Sequence, residues 1–195
     1  MSYGAYPLEG FLDRLAGPGG APGGGAACAV AGALACALAE LVLEHAARNA
    51  TSGKEPAVGL RAASGEAREL RARLLGLADD DSAAYARFAK MHRRGAGEPA
   101  LRASYAACEV PLDIARSCVA ALRLLARARE HAAPALRCDA EAGALLALAG
   151  ARGACGLVDA NLPAVGDRSL AEVLTREAAA LRGQAEALAR RAAPW

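Results

Sequence analysis

Aromatic, lysine and β-branched residues are scarce in this chain of 195 residues. Phe, Trp and Tyr make up 4% of it, and only Lys54 and Lys90 among its 23 basic residues are lysines. Because Val, Ile and Thr are few, no segment shows the alternating pattern of a strand. Ala, Leu and Arg dominate instead and favour helix. We therefore expect an all-α fold, a multi-helix bundle with long buried Ala/Gly-rich helices, in a single helical domain over residues 1–195.

An excess of charge of either sign is also missing. The net charge is +2, and the arginines are interleaved with Glu and Asp, so most charges should lie on solvated helix faces and no nucleic-acid partner is expected. The longest charge-free apolar run, Ala26–Ala39, has 14 residues and is too short to span a bilayer. The first 15 residues contain acids and no apolar core, unlike a signal peptide. We expect a cytoplasmic protein with no membrane partner.

The cysteines follow no ligand pattern. There are six of them, without a CxxC pair and without Cys/His spacing for a metal. Most lie in Ala/Leu-rich segments, where a free cysteine behaves as a small buried apolar residue. We expect reduced thiols, no metal site and no covalently bound cofactor.

A Gly/Pro loop precedes the most apolar segment of the chain. Residues 17–25 read GPGGAPGGG, and a helix is predicted from there to about Asn49. Glycines allow the backbone to approach a ligand closely, and the free N–H groups of the following helical turn can receive anionic or carbonyl groups. No GK[ST] follows, so the loop is not a P-loop. A flexible turn is the alternative to a binding loop formed by Pro22, Gly23, Gly24 and Gly25.

A second predicted helix, from about Leu60 to Met91, carries an acidic residue on its apolar stripe. The stripe runs from Leu70 to Phe88 at helical spacing, and Asp81 occupies one of its positions. A buried carboxylate destabilises a fold unless it is paired or used, and its raised pKa suits proton transfer near neutral pH. Asp79 is nearly as plausible if the helix is rotated slightly.

Lys54 and Asp139 are the other candidate functional residues. Lys54 lies in a Gly-bounded loop after the apolar helix, where it can bind a carboxylate or be a solvated loop residue. Asp139 can cap the helix that follows it, act catalytically, or do both. Two local features of helices complete the prediction. Pro111 should bend the third helix or interrupt its hydrogen-bond ladder, and Ser169 with Glu172 resembles a capping box.

Several segments, in chain order, resemble the formiminotetrahydrofolate cyclodeaminase and methenyltetrahydrofolate cyclohydrolase family. Pro22–Leu38 resembles the family's PGGGS signature and small-residue helix, and Thr51–Pro56 resembles its TxGK segment. Leu77–Phe88 resembles its Asp-x-Asp-Ala-x-Ala-aromatic stretch, and Ala107–Ala115 resembles its EVPL helix. Cys138–Leu148 resembles its SDA-start helix, and Asn161 matches the second Asn of its NVRINL ending. The similarity spans nearly the whole chain.

The resemblance implies an all-helical domain that forms a homodimer and binds a reduced folate in a cleft. Family members hydrolyse the 5,10-methenyl bridge to 10-formyltetrahydrofolate or close a 5-formimino group with loss of ammonia. Asp81 or Asp139 would then carry the proton, and Lys54 would bind or polarise the pterin or the glutamate tail. The substrate, a tetrahydrofolate derivative, would contact these residues: Pro22, Gly23, Gly24, Gly25, Asp79, Cys138 and Asn161.

Some polar positions of the family differ here. Ala133–Pro134–Ala135 stands where the family has Asn-Pro-Asn, Cys138 where it has Ser, and Leu157–Val158–Asp159 where it has Asn-Val-Arg. Three hypotheses follow. The chain is a folate-bridge cyclohydrolase or cyclodeaminase, a repurposed relative acting on another cyclic amidine or imine, or a non-catalytic helical dimer that acts as a binding partner.

Overall fold

A computed structural model describes residues 2–50, 55–93, 95 and 97–193. In this part of the chain the regular structure is helical and there is no strand. The all-α prediction is confirmed. The α-helices are α1 (Leu8–Ala16), α2 (Gly24–Asn49), α3 (Glu55–Arg93), α4 (Glu98–His131), α5 (Arg137–Asn161) and α6 (Arg168–Ala192), with short 3-10 helices at Tyr3–Ala5, Pro134–Leu136 and Leu162–Ala164.

The α2 helix lies against α3, α4 and α5, and α6 packs on α4 and α5. Glycines allow the close approach of α2 to its neighbours. A Cβ atom added to Gly32 would lie 2.7 Å from Cys118 Sγ, and one added to Gly150 would lie 2.8 Å from the carbonyl oxygen of Cys28. Side chains at these positions would force the helices apart, so the Ala/Gly composition sets how tightly the core packs.

The α2 helix, Gly24–Asn49, is longer than the charge-free apolar run Ala26–Ala39 that it contains. It continues through Glu40, whose carboxylate pairs with Arg68 and Arg71 of α3. By length and composition alone, α2 and the segment Pro134–Ala164 are therefore long and apolar enough to cross a membrane. Half of the most apolar window of α2 is buried in the bundle, however. Such burial is typical of the core helix of a soluble helical domain.

Two predicted helix caps are wrong. The 3-10 turn Pro134–Leu136 leads directly into α5, so Asp139 lies inside the first turn of that helix and is not its N-cap. At α6 the N-cap is Asp167 instead of Ser169, because the Asp167 carboxylate accepts a hydrogen bond from the Leu170 N–H at 3.0 Å. Both errors concern where a helix begins, which periodicity defines poorly.

The cysteines are all unpaired, as predicted, and all lie on α2, α4 or α5. Cys36, Cys108, Cys118 and Cys155 are buried. Burial raises the pKa of Cys36 to about 12, so this thiol stays protonated at neutral pH.

Candidate functional site

A cleft of about 230 Å³ opens at the N-terminal end of α2. Four helices contribute to it: the start of α2, the second half of α3, the first half of α4 and the end of α5. The residues that line it are Gly20, Ala21, Gly23, Gly24, Gly25, Asp81, Ser82, Ala84, Tyr85, Ala107, Pro111, Leu157 and Asn161.

The Asp81 carboxylate lies directly against the first turn of α2. Its Oδ2 atom accepts a hydrogen bond from the Ala26 N–H at 3.1 Å. The N-cap of α2 is Gly23, which has no side chain to cap the helix, so a carboxylate from α3 takes that role. A Cβ atom on Gly25 would overlap the Asp81 carboxyl group. Glycine at this position therefore allows the carboxylate to reach the helix end.

Two opposing effects act on the proton affinity of Asp81. Burial raises the pKa of its carboxyl group, and the hydrogen bond from Ala26 lowers it by a smaller amount. The net pKa lies above the ordinary value, so the group binds its proton more tightly than a solvated aspartate does.

Cys28 of α2 is electrostatically coupled to this carboxylate. Burial, together with the charge of Asp81, raises the pKa of the Cys28 thiol to about 11. A thiol in this environment is protonated at neutral pH and is a poor nucleophile. Asp81 lines the cleft, whereas Cys28 is not among the residues that line it.

The wall formed by α4 and α5 depends on a break in the α4 hydrogen-bond ladder. Pro111 has no N–H, so it leaves the carbonyl oxygen of Ala107 without its helical donor. The side chain of Asn161, at the end of α5, donates its Nδ2–H to that oxygen at 2.7 Å. All three residues line the cleft. Pro111 does not end α4, which runs without interruption from Glu98 to His131.

The remaining surface of the cleft is mainly apolar or backbone. Tyr85 lies one turn after Asp81, with its ring near Gly20, and the Leu157 side chain lies 3.7 Å from the position of a Cβ on Gly24. Among the described residues, nothing accepts a hydrogen bond from the N–H groups of Gly24 or Gly25. These two donors, a carboxylate and an aromatic ring are available to a ligand.

Asp79 and Pro22 lie outside the cleft lining. The Asp79 carboxylate accepts hydrogen bonds from the Ser2 hydroxyl and, at 2.8 Å, from the Tyr3 N–H. It therefore holds the N-terminal segment against α3. Pro22 is buried in the loop, between two residues that do line the cleft.

Asp139 and Cys138 lie at the opposite end of the bundle. Leu157 lines the cleft together with Gly24, and Asp139 precedes Leu157 by 18 residues on the same helix, a distance of roughly 27 Å along its axis. Within one chain the structure therefore does not bring Asp139 and Cys138 to the cleft. Lys54 lies outside the described residues.

Tyr85, Leu157 and Ser82 line the cleft but were not predicted from the sequence as site residues. Tyr85 could have been found, because it follows Asp81 at helical spacing on the same stripe. Leu157 is hard to distinguish from an ordinary core residue in an apolar helix. Over the residues that the structure describes, no group of three or more His, Cys, Asp or Glu side chains is placed to hold a metal ion.

Comparisons with known proteins agree on one family. No curated protein matches the chain. A crystal structure of formiminotetrahydrofolate cyclodeaminase from Thermotoga maritima matches with a TM-score of 0.90 and 26% sequence identity, covering 97% of this chain and 94% of that one. The family model for formiminotransferase-cyclodeaminase matches residues 7–180. The chain belongs to the formiminotransferase-cyclodeaminase family.

Proposed function

We propose that this protein acts on a one-carbon derivative of tetrahydrofolate, either hydrolysing the 5,10-methenyl bridge or cyclising a 5-formimino group with loss of ammonia. Family membership and the similarity to a formiminotetrahydrofolate cyclodeaminase support the substrate class. The observation that carries the proposal is the half-buried Asp81 carboxylate beside unpaired backbone N–H groups in the cleft.

Both reactions pass through an amidine carbon that carries positive charge. In the hydrolytic direction, the Asp81 carboxylate accepts a proton from the water that attacks this carbon, and its negative charge stabilises the cation. In the cyclising direction, the protonated Asp81 donates its proton to the leaving amine. Because burial raises the pKa of Asp81, its carboxyl group holds a proton to a higher pH than a solvated aspartate does.

The geometry favours Asp81 over Asp139 as the proton carrier. Asp81 lies in the cleft, whereas Asp139 lies roughly 27 Å away along α5. Asn161 donates one N–H of its side-chain amide to the Ala107 carbonyl oxygen, which leaves its second N–H and its amide oxygen for a ligand. Tyr85 offers a ring on which a flat pterin can stack.

The decay of methenyltetrahydrofolate absorbance tests the hydrolytic reaction, and release of ammonia from formiminotetrahydrofolate tests the other. We expect turnover by the wild type and a loss of roughly 10²–10⁴-fold for Asp81→Asn, the range typical of general acid–base groups. Asp80→Asn is the matched control, because Asp80 is adjacent but exposed and outside the cleft lining. Equal rates for wild type and Asp81→Asn would contradict the assignment.

A repurposed family member is the second candidate function. Leu157 lines the cleft where the family has Asn, and Asp159 is turned away to pair with Arg182 of α6 at the family's Arg position. Both differences make the wall less polar, which favours a less polar cyclic amidine or imine. If neither folate is turned over by folded wild-type protein, the expected result is that Leu157→Asn gains folate turnover.

A further inference from the structure

The α4 and α6 helices lie side by side and run in the same direction. Three pairs of side chains link them, each joining residues 61 positions apart, at steps of seven residues along each helix. The pairs are Arg116 with Glu177, Arg123 with Gln184, and Glu130 with Arg191. Seven residues are about two turns, so each pair lies roughly 10 Å beyond the one before it. The C-terminal halves of both helices therefore lie at the same end of the bundle.

Acidic residues surround the first of these pairs. The Arg116 guanidinium group donates hydrogen bonds to Glu177 at 2.7 Å and to Glu109 and Asp113 at 2.9 Å each. Carboxylates outnumber guanidinium groups at this point. The local charge therefore does not attract an anion.

The groove that follows, between the C-terminal halves of α4 and α6, has the opposite balance of charge. Its volume is about 300 Å³, and its lining includes the guanidinium groups of Arg123, Arg127 and Arg191 but only one carboxylate, that of Glu130. We call it the α4–α6 groove. Glu130 lies 3.6 Å from Arg191, and both side chains are more than half exposed. The partner of Arg123 is the uncharged Gln184. The groove therefore has positive charge that the described residues do not neutralise.

Helix stability does not account for this group of arginines. A cation in the last turn of a helix interacts favourably with the helix dipole, and Arg191 is in the last turn of α6. Arg123 and Arg127, however, lie before the last turn of α4, which ends at His131. These two residues are four positions apart on one helix, where like charges repel each other. An anion bound between the guanidinium groups would remove this repulsion.

Phosphate is the anion that best fits these side chains. A guanidinium group donates two parallel hydrogen bonds to a phosphate group, and arginine keeps its charge throughout the physiological pH range. The volume of about 300 Å³ is at the small end of the range for ligand sites. Because three guanidinium groups line this one space, two or three linked phosphates can be bound together.

The lining favours a small molecule over a nucleic acid or a membrane. Among the described residues no Phe, Tyr or Trp lines the groove, so it offers no ring on which nucleobases stack. A membrane-binding surface would need exposed apolar side chains beside the basic ones. Over the part of the chain that the structure describes, the large exposed apolar side chains all lie outside the second halves of α4 and α6.

We propose that the α4–α6 groove binds a small molecule that carries two or three linked phosphate groups, either an inorganic phosphate chain or a nucleotide, through Arg123, Arg127 and Arg191. The groove is remote from the cleft. Pro111 lines the cleft, and Arg127 follows it by 16 residues on α4, a distance of roughly 24 Å along the helix axis. The phosphate site therefore does not depend on the proposed function.

Calorimetric titration with inorganic triphosphate, at a salt concentration of about 0.15 M, tests the site. We expect the wild type to bind it and Arg123→Gln/Arg191→Gln to bind at least about ten-fold more weakly, because two charge-assisted contacts are lost. Arg87→Gln/Arg176→Gln is the matched control, since it removes two exposed arginines of α3 and α6 that lie outside the groove. Its affinity should stay within about two-fold of the wild type.

Three results of this titration would overturn the proposal. They are no binding by the wild type, equal binding by the groove variant, and an equal loss of affinity in the groove variant and the control.

Competition experiments identify the source of the phosphate groups. ATP should displace inorganic triphosphate, and adenosine, which has no phosphate, should not. Equal affinities of ATP and triphosphate would support recognition of the phosphates alone, and tighter binding of ATP would support a nucleotide. Tighter binding of a single-stranded oligonucleotide, or of vesicles of phosphatidylserine and phosphatidylcholine, would overturn the small-molecule assignment if it is lost in Arg123→Gln/Arg191→Gln.

Thermal unfolding of Arg123→Gln separates a ligand site from a structural role. Glutamine forms helices about as well as arginine, and the substitution removes the repulsion with Arg127, so without ligand the Tm should equal or exceed that of the wild type. Triphosphate should raise the Tm of the wild type more than that of the variant. A lower Tm of the variant without ligand, or an equal rise in both proteins, would overturn the proposal.

Discussion

The two ends of the α2–α5 pair differ in how their backbone and side chains are used. At the cleft end, Gly23 leaves the start of α2 without a cap of its own, and Pro111 frees a carbonyl in α4. Asp81 and Asn161, from other helices, satisfy the exposed groups. At the opposite end, a 3-10 turn runs directly into α5, and Asp139 lies in its first turn, where a helix dipole favours an acid.

This difference supports our proposal that the reaction occurs at the cleft end. A helix end that continues from an adjoining turn of the same segment contributes to the fold alone. A helix end whose N–H group is bound by a half-buried carboxylate of another helix also has a titratable group beside free N–H groups. Such arrangements carry a cost in stability and are typical of active sites. The contrast leads to three predictions, given in order of decreasing effect.

Gly25→Ala should have the largest effect on stability and turnover among these variants. The new Cβ would overlap the Asp81 carboxyl group, so either the side chain or the first turn of α2 must move. We expect a loss of about 1–3 kcal/mol in the free energy of unfolding, as for overpacked sites, together with loss of turnover. Urea unfolding and the absorbance assay measure the two effects.

Gly76→Ala is the control for that variant. Gly76 is exposed on α3 and has no atom within 4 Å of its added Cβ, so the substitution should stabilise the helix by up to about 1 kcal/mol. Equal stability changes in the two variants would show that Gly25 is not tightly packed against Asp81.

The hydrogen bond from Asn161 should matter only while Pro111 is present. Asn161→Ala removes the donor to the Ala107 carbonyl, which should destabilise the protein by about 1–2 kcal/mol. Pro111→Ala restores an N–H that can donate to the same carbonyl. In that background we expect Asn161→Ala to destabilise less.

A double-mutant cycle of Pro111→Ala and Asn161→Ala, followed by urea unfolding, measures this coupling. Additive changes in unfolding free energy would mean that the amide and the freed carbonyl act independently.

The pH dependence of Asp81→Asn should show the smallest effect. Because burial raises the pKa of Asp81 in the folded state, ionisation of this group removes stability as pH rises through its folded pKa. Asn cannot ionise, yet its side-chain oxygen can still accept the Ala26 N–H. The gain in Tm of the variant relative to the wild type should therefore grow as pH rises above about 4, the ordinary pKa of an aspartate in an unfolded chain. A gain that shrinks over this range would mean that the carboxylate is stabilised by its surroundings.

Much of the fold follows from composition and spacing. Ala- and Leu-rich segments predicted the helices, and the acidic residue on an apolar stripe identified Asp81, which the structure places beside Gly25. The positions of helix starts were less accessible, since Asp139 and Ser169 both look like caps in the sequence. A preceding 3-10 turn, or a neighbouring residue such as Asp167, can begin the helix instead, because alternative N-cap residues differ little in free energy.

Periodicity alone could not show that Asp81 and Asp139 lie at opposite ends of the bundle. Helical spacing shows which face of a helix is buried, but not which end of the bundle a residue occupies. α2 and α5 run antiparallel, because Gly24 at the start of α2 and Leu157 near the end of α5 line the same cleft. Asp139, at the start of α5, therefore lies at the opposite end of the bundle. Likewise, Pro111 marks a freed carbonyl in the sequence, but only the fold identifies Asn161 as its donor.

The most direct measurement is the rate of methenyltetrahydrofolate decay with Asp81→Asn and Asp139→Asn assayed together as folded proteins. With Asp81 as the proton carrier, the first variant should lose roughly 10²–10⁴-fold in kcat, and the second should stay within about two-fold of the wild type. A large loss for Asp139→Asn with full activity for Asp81→Asn would place the chemistry at the other end of the bundle and contradict the account.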